Sequence, residues 1–498
     1  MTRKFIITIL FVSVVLPSTW GQSDFQKYKA KRQQDFQKYK DKRQKDFDEF
    51  RRKRNEEFAK YMSQSWQPFL LDEPVTRPIE KDKEPVIYDE RNDHQQKNKE
   101  TLVEIIPYQK PSPKPQPEPV VPIYENDEAN TTCSFVFYGT PMRVRCGDLT
   151  SYRLSSTNEK ALSSAYLKLT DRKYDNLLFD CLALRKKHCL CDWAYFKLLE
   201  AVAAEVCGKG TNEAVFLQGV LFNQSGYRVR FAEEQSNGHL HLLVGTEGFV
   251  FDYESVGIKG KTYYLLDKSK VRNLNICNLD MPDEKEMSLH INESPLLSKK
   301  MSAPRSIKAK SYGTEVESSV NENLIHFFND YPTSYANNNF MTRWAYYANT
   351  PISTEVKEKI YPQLRNKLQN TTPLIATNIL LNWVQTGFVY EKDDVVWGSD
   401  RALFAEETLY YPFCDCEDRS ILFSHIVRDL VGLDVVLVYY PGHLATAVCF
   451  SEEVEGDYIM VKNRKFIVAD PTYIPAKVGR TMPGMDNDVA KVILCEKH

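Results

Sequence analysis

Apolar and polar positions fall into four regimes along this chain. An apolar run from Phe5 to Leu16 follows Arg3 and Lys4 and gives way to Ser18, Thr19 and Gly21. That layout predicts a secretory signal peptide over residues 1–21, because the run is short of the about 20 apolar residues that a membrane span needs. Aromatics then recur every 11 residues, at Phe25, Phe36, Phe47 and Phe58, with Tyr28, Tyr39, Phe50 and Tyr61 three places later. Positions i, i+3 and i+11 share one stripe of a helix, which predicts an amphipathic, coiled-coil-like helical repeat over 22–62. Residues 63–132 hold 11 of the 25 prolines, including Pro111, Pro113, Pro115, Pro117 and Pro119, which predicts a semi-rigid Pro-rich linker. From Cys133 the pattern becomes globular, with a first block over 133–290, a polar connection MSLHINESPLLSKKMSAPRS, and a last block over 310–498.

Within the last block, helices are expected around Asn323–Tyr347 and Ile375–Val389. A further helix follows Asp415, with Ser420, Ile421, Leu422, Ile426, Val427 and Leu430 on its apolar face and Gly432 as its stop. Strands are predicted over Val435–Tyr440 and His443–Phe450, joined by a turn at Pro441–Gly442, and a fourth strand ends at Asp470 just before Pro471. The whole reads as an α+β protein.

Composition adds three constraints. Lys plus Arg (65) nearly balances Asp plus Glu (67), so the global charge gives no reason to expect nucleic acid as a partner. Locally, residues 23–62 carry 14 basic and 8 acidic side chains. Their helix either packs its aromatic stripe on a neighbour or a second copy, or contacts an anionic cell-envelope surface or an acidic partner. The 11 cysteines are spaced neither as a compact disulfide scaffold nor as a zinc site, so no metal and no cofactor is expected. After signal cleavage no transmembrane segment is expected, and the mature protein is expected to be secreted or periplasmic.

The chemistry concentrates in YYPFCDCEDRSILFSHIVRDLVGLDVVLVYYPGHLATAVCF and the following KFIVADPTY. Cys416 would stand at a helix N-terminus, where the dipole and unpaired N–H groups favour a thiolate. His443 and Asp470, on adjacent antiparallel strands, can then act as base and orienting acid. Cys414 is the rival nucleophile. Glu417 and Asp418 bring negative charge to the thiol and oppose its ionisation.

The order CEDRS, helix, YPGH, strands, ADPTY resembles the transglutaminase-like superfamily, a papain-like Cys-His-Asp fold, over residues 320–480. The resemblance implies that Cys416 is the nucleophile, with Ser420 as the small residue four places on, His443 the base and Asp470 the orienting acid. It assigns Gln385 and Trp397 to the substrate channel or oxyanion site and Asp418 to structure. It implies an exported bacterial thiol enzyme, a cysteine peptidase or amidase or an acyltransferase, that acts on a protein or peptide substrate, with hydrolysis favoured over crosslinking.

The first block repeats the plan. With Gly226 aligned on Gly432, GTNEAVFLQGVLFNQSGYRVRF lies on CEDRSILFSHIVRDLVGLDVVL and Gly210 falls on Cys416. A two-residue shift then brings His239 onto His443, and Asp267 lies near Asp470. Cys207 falls three residues too early. The expected architecture is therefore two transglutaminase-like domains, the first degenerate for lack of a thiol, behind a helical repeat and a Pro-rich linker. The alternative reading is a noncatalytic binding scaffold for protein or cell-envelope material.

Overall fold

In the computed structural model, residues 19–78, 83–92, 103–108, 118–125, 131–171, 174–277 and 284–495 are described. Most of the expected signal peptide (1–18) and the proline run Pro111–Pro117 lie outside them. The chain divides into two compact units between Glu57 and Phe58. No helix among the described residues is long and apolar enough to cross a membrane.

The repeat forms a single helix, α1 (Thr19–Met62). In the first unit the rings of Tyr28, Phe36, Tyr39, Phe47 and Phe50 stay in solvent, with Tyr28 57 % and Phe36 59 % exposed. Neighbouring cations cover them: Arg32 lies over Tyr28, Lys40 over Phe36, and Arg43 over both Tyr39 and Phe47.

The second unit, Phe58–His498, is α+β and holds two six-stranded sheets. Its elements, in chain order, begin with β1 (Gln67–Leu70) and β2 (Glu104–Ile106). Helices α2 (Asp192–Cys207) and α3 (Asn212–Gln224) then lead into β3 (Val229–Glu234), β4 (Leu240–Gly245), β5 (Ser255–Ile258), β6 (Lys261–Leu265) and β7 (Asn273–Ile276). Later come α4 (Pro373–Gly387), the two-residue strands β8 (Val389–Tyr390) and β9 (Phe413–Cys414), and α5 (Cys416–Leu430). The chain closes with β10 (Asp434–Tyr440), β11 (His443–Cys449), β12 (Tyr458–Val461), β13 (Arg464–Ala469) and β14 (Lys491–Leu494).

The first sheet runs β1-β7-β3-β4-β6-β5 and the second β2-β14-β10-β11-β13-β12. Numbered from the helix that precedes them, the last five strands of each follow one order, 5-1-2-4-3, all antiparallel. In each case the preceding helix packs on strands 1 and 2, α3 on β3 and β4, and α5 on β10 and β11. The two helices also end alike. Gly226 and Gly432 take left-handed φ values of 90° and 75°, which a side chain would resist, and the chain turns back at each into strand 1.

The segment expected as a spacer is stitched into both sheets instead. β1 pairs antiparallel with β7 at one edge, and β2 pairs parallel with β14 at the other. Strands of four and three residues have partners far away in sequence, so composition alone could not reveal them. One apolar cluster joins the helices of both halves, and each sheet covers its other face with a smaller cluster of its own. Of the expected helices, 375–389 forms as α4, while the 323–347 region breaks into Glu322–Asn329 and Arg343–Asn349.

Helix α3 approaches its sheet closely at Gly219, where an added Cβ would stand 2.4 Å from the Phe231 ring and 2.8 Å from Leu242. Gly219→Ala is therefore expected to destabilise the unit by about 1–3 kcal/mol, read as a lower urea midpoint with an unchanged slope.

Candidate active site

Asp415 is extended (φ −113°, ψ −152°) and Cys416 opens α5 as its first helical residue. Asp418 ties this helix start to the preceding loop by accepting the backbone N–H of Asp415 (3.2 Å) and of Leu403 (2.7 Å). One turn further on, the Ser420 hydroxyl donates to the Leu444 carbonyl at 2.9 Å. That bond seats the helix beside the first residues of β11. Cys416, one turn towards the helix N-terminus on the same face, and His443, one residue before Leu444, therefore share one end of the helix–sheet layer.

His443 and Asp470 meet there: Nε2 of the imidazole lies 2.9 Å from Oδ2 of the carboxylate. The carboxylate holds the proton on Nε2 and leaves Nδ1, buried and without a hydrogen-bond partner, as the basic nitrogen. Asp470 Oδ1 accepts the Thr472 N–H at 2.8 Å, which fixes the carboxylate plane. All three side chains are shielded, with Cys416 1 %, His443 2 % and Asp470 3 % exposed. The Cys416 thiol lies 3.1 Å from Glu417 Oε2. Among the described residues a disulfide joins Cys133 to Cys146, and neither Cys414 nor Cys416 is in one. Burial raises the Cys414 thiol, and Arg419 offsets that only in part.

The loop after Asp470 is held from beneath. The Gln385 amide donates to the carbonyls of Asp470 (3.0 Å), Tyr473 (2.9 Å) and Ala476 (3.0 Å). Its N–H groups are thus engaged, so Gln385 braces the loop that carries Asp470 and is not available as an oxyanion donor. Trp397 is likewise occupied, with its ring against Tyr411 (4.9 Å) and beneath the Arg401 guanidinium (4.2 Å). Arg419, which sequence reasoning passed over, donates to the carbonyls of Gln385 (3.2 Å) and Phe388 (3.0 Å) and reaches Pro471 (3.5 Å).

Around the helix start lies a cluster of buried acids that the run CEDRS only hinted at. Oxygens of Asp393, Asp400 and Glu417 lie within 4.8 Å of one another, as do those of Asp393, Asp415 and Asp418, a spacing that suits a cation. Burial, with Asp400 and Asp418 nearby, pushes Glu417 up to about 7, and burial likewise pushes Asp418 up to about 7. Burial and the charges of Glu417 and Asp418 raise Asp393 to about 10. At neutral pH the cluster shares protons, which limits the charge that opposes a thiolate on Cys416.

The corresponding place in the first half differs from the alignment. Gly210 lies in the turn before α3 at φ 75°, and Asn212, not Gly210, is the first helical residue. Asn212 Oδ1 accepts the Leu240 N–H at 2.9 Å, next to His239. Helix α3 is two residues shorter than α5, so anchoring on the terminal glycine misplaces its start. Asp267 is bonded to His241 (2.8 Å), with the His239 ring edge-on to His241 at 5.0 Å. Cys207, at the end of α2, is pushed up to about 11 by burial, and the nearby Glu213 adds to this.

Two outcomes follow from this geometry. Gln385→Ala leaves three carbonyls without their donor and is expected to cost about 2 kcal/mol or more in urea unfolding. Glu417, raised from its ordinary 4.5 to about 7, keeps a proton in the folded state that the unfolded chain has released. Its contribution is fully present below pH 4.5 and is lost as pH rises through 7, so Glu417→Gln is expected to flatten the fall in unfolding temperature across that interval. Comparison with protein-family models, curated proteins and solved structures finds no match for this chain.

Proposed function

We propose that the protein is an exported thiol enzyme that cleaves or transfers amide bonds through Cys416, His443 and Asp470, by the chemistry of the transglutaminase-like superfamily. The observation that carries this reading is the His443–Asp470 pair: its basic Nδ1 is left unpaired and buried at the end of the layer where Cys416 opens α5. His443 takes the thiol proton, and the Cys416 thiolate attacks the amide carbonyl, forming the C–S bond as the carbonyl pair moves to oxygen. The backbone N–H groups at the start of α5 stabilise that oxyanion. Collapse breaks the C–N bond, and the imidazolium returns its proton to the departing amine. Water then gives a proton to His443 and adds to the thioester, and C–S cleavage releases the acid and the thiolate. An amine in place of water completes a transfer. Hydrolysis is the favoured outcome.

The shared strand order supports reading residues 133–290 as a second, degenerate copy of the same domain. With Asn212 at its helix start, that copy has no thiol for acyl transfer, and a binding or bracing role suits it. Export agrees with the apolar leader and with the Cys133–Cys146 disulfide, which an oxidising compartment permits. One observation favours the noncatalytic scaffold: the three side chains are almost fully shielded, and the thiol is bonded to a carboxylate.

The pH profile of Cys416 alkylation by iodoacetamide, followed by peptide mass spectrometry, separates the two readings. The enzyme reading expects a midpoint well below about 8.5 that moves upward in His443→Ala. A midpoint at or above the free-thiol value, unmoved by His443→Ala, leaves the scaffold. Cys416→Ala is expected to reduce amide hydrolysis by about 10³-fold or more.

A further inference from the structure

Residues 83–88, Lys-Glu-Pro-Val-Ile-Tyr, bond to the turn before His443 and to the loop after Asp470. The Lys83 N–H donates to the carbonyl of Gly442, the residue before His443, at 3.0 Å. The Lys83 carbonyl accepts the Tyr390 hydroxyl at 3.2 Å. Tyr390 pairs with Cys414 across β8 and β9, two residues before the nucleophile. The main chain of one residue thus spans from the turn that carries the base to the strand that leads to the thiol. Glu84 adds an ion pair with Lys392 at 2.6 Å.

Further along, the segment follows the loop after Asp470. Ile474 donates its N–H to the Val86 carbonyl (3.0 Å) and accepts the Tyr88 N–H (2.6 Å). The Tyr88 ring stands edge-on to Tyr473 at 5.4 Å. Val86 and Tyr88 pack on the cluster beneath, whereas Ile87 points outward and is 70 % exposed. Pro85 keeps Glu84 extended, and β-branched Val86 and Ile87 continue that conformation. Held by main-chain bonds with alternate side chains seated, the segment lies as an added strand would on a peptide-binding rim. Apart from Val86 and Tyr88, which are only partly buried, its anchors are main-chain hydrogen bonds and an ion pair, so it can leave without dismantling a core.

We propose that residues 83–88 are an intramolecular occupant of the substrate rim, that they cover Cys416, and that the substrate is an extended polypeptide which displaces them. The inference rests on Cys416 being the nucleophile, and one experiment separates the two. In the full chain, Val86→Asp combined with Tyr88→Ala removes both seated side chains and touches no member of the triad. Hydrogen exchange of the Lys83 and Tyr88 amides reports release of the segment. The plateau rate of Cys416 alkylation at high pH reports cover, while the midpoint of the profile reports the thiol–imidazole pair.

The expected result is faster exchange at 83–88 and a plateau raised by about tenfold, with the midpoint unchanged. The synthetic hexapeptide Lys-Glu-Pro-Val-Ile-Tyr, added to that variant, is expected to restore protection. Faster exchange with an unchanged plateau overturns the cover. Unchanged exchange overturns the anchoring, and failure of the peptide to protect overturns the extended-peptide assignment. A raised plateau with a midpoint that ignores His443→Ala keeps the cover and removes the triad. If the double variant does not fold, Glu84→Lys, which opposes Lys392, is read by the same measurements and outcomes.

Discussion

A guanidinium that is 1 % exposed must find acceptors inside the protein, and Arg419 finds three carbonyls on two separate stretches of chain. Its N–H groups reach the carbonyls of Gln385 at the end of α4, Phe388 just beyond it, and Pro471 after Asp470. No apolar side chain of similar volume could satisfy those carbonyls, so the charge fixes which segments meet at the start of α5. Gln385 extends the arrangement by holding three carbonyls of the loop that follows β13. The place of the Asp470 carboxylate, and with it the orientation of the His443 ring, depends on this polar floor.

The same helix start concentrates negative charge. Asp393, Asp415, Glu417 and Asp418 are all buried around the start of α5, beside the Cys416 thiol. Burial and mutual repulsion raise Asp393 to about 10 and Glu417 and Asp418 to about 7, so near neutrality these three share protons. Asp418 has a structural task there: both of its oxygens accept backbone N–H groups that would otherwise be buried unpaired.

Much of the second sheet was legible in the residues themselves. The 3.6-residue apolar face after Cys416, the glycine that stops it, and two apolar strands around Pro441–Gly442 match α5, β10 and β11 within a residue or two. The His443–Asp470 bond was legible as well, because both residues stand at the ends of neighbouring strands. Other features had no local signal. The start of α3 depends on helix length, which an alignment anchored on glycine does not carry. Gln385 was read as facing substrate because its type suits an oxyanion site, yet tertiary carbonyls claim its amide. Strands β1 and β2 are short segments of a proline-rich, polar stretch and owe their conformation to edges far away in the chain, at Asn273–Ile276 and Lys491–Leu494.

Those two edge strands also set an order of assembly. Each emerges from the ribosome long before the strand it pairs with: Gln67–Leu70 must wait for Asn273–Ile276, and Glu104–Ile106 for Lys491–Leu494. The second sheet therefore cannot close its edge until Lys491–Leu494 has been synthesised. Until then β10 presents an unpaired ladder of backbone groups, the kind of surface that recruits stray strands. A chain that crosses a membrane before it folds suffers no penalty from this delay, whereas one that folded during synthesis would carry an open edge throughout.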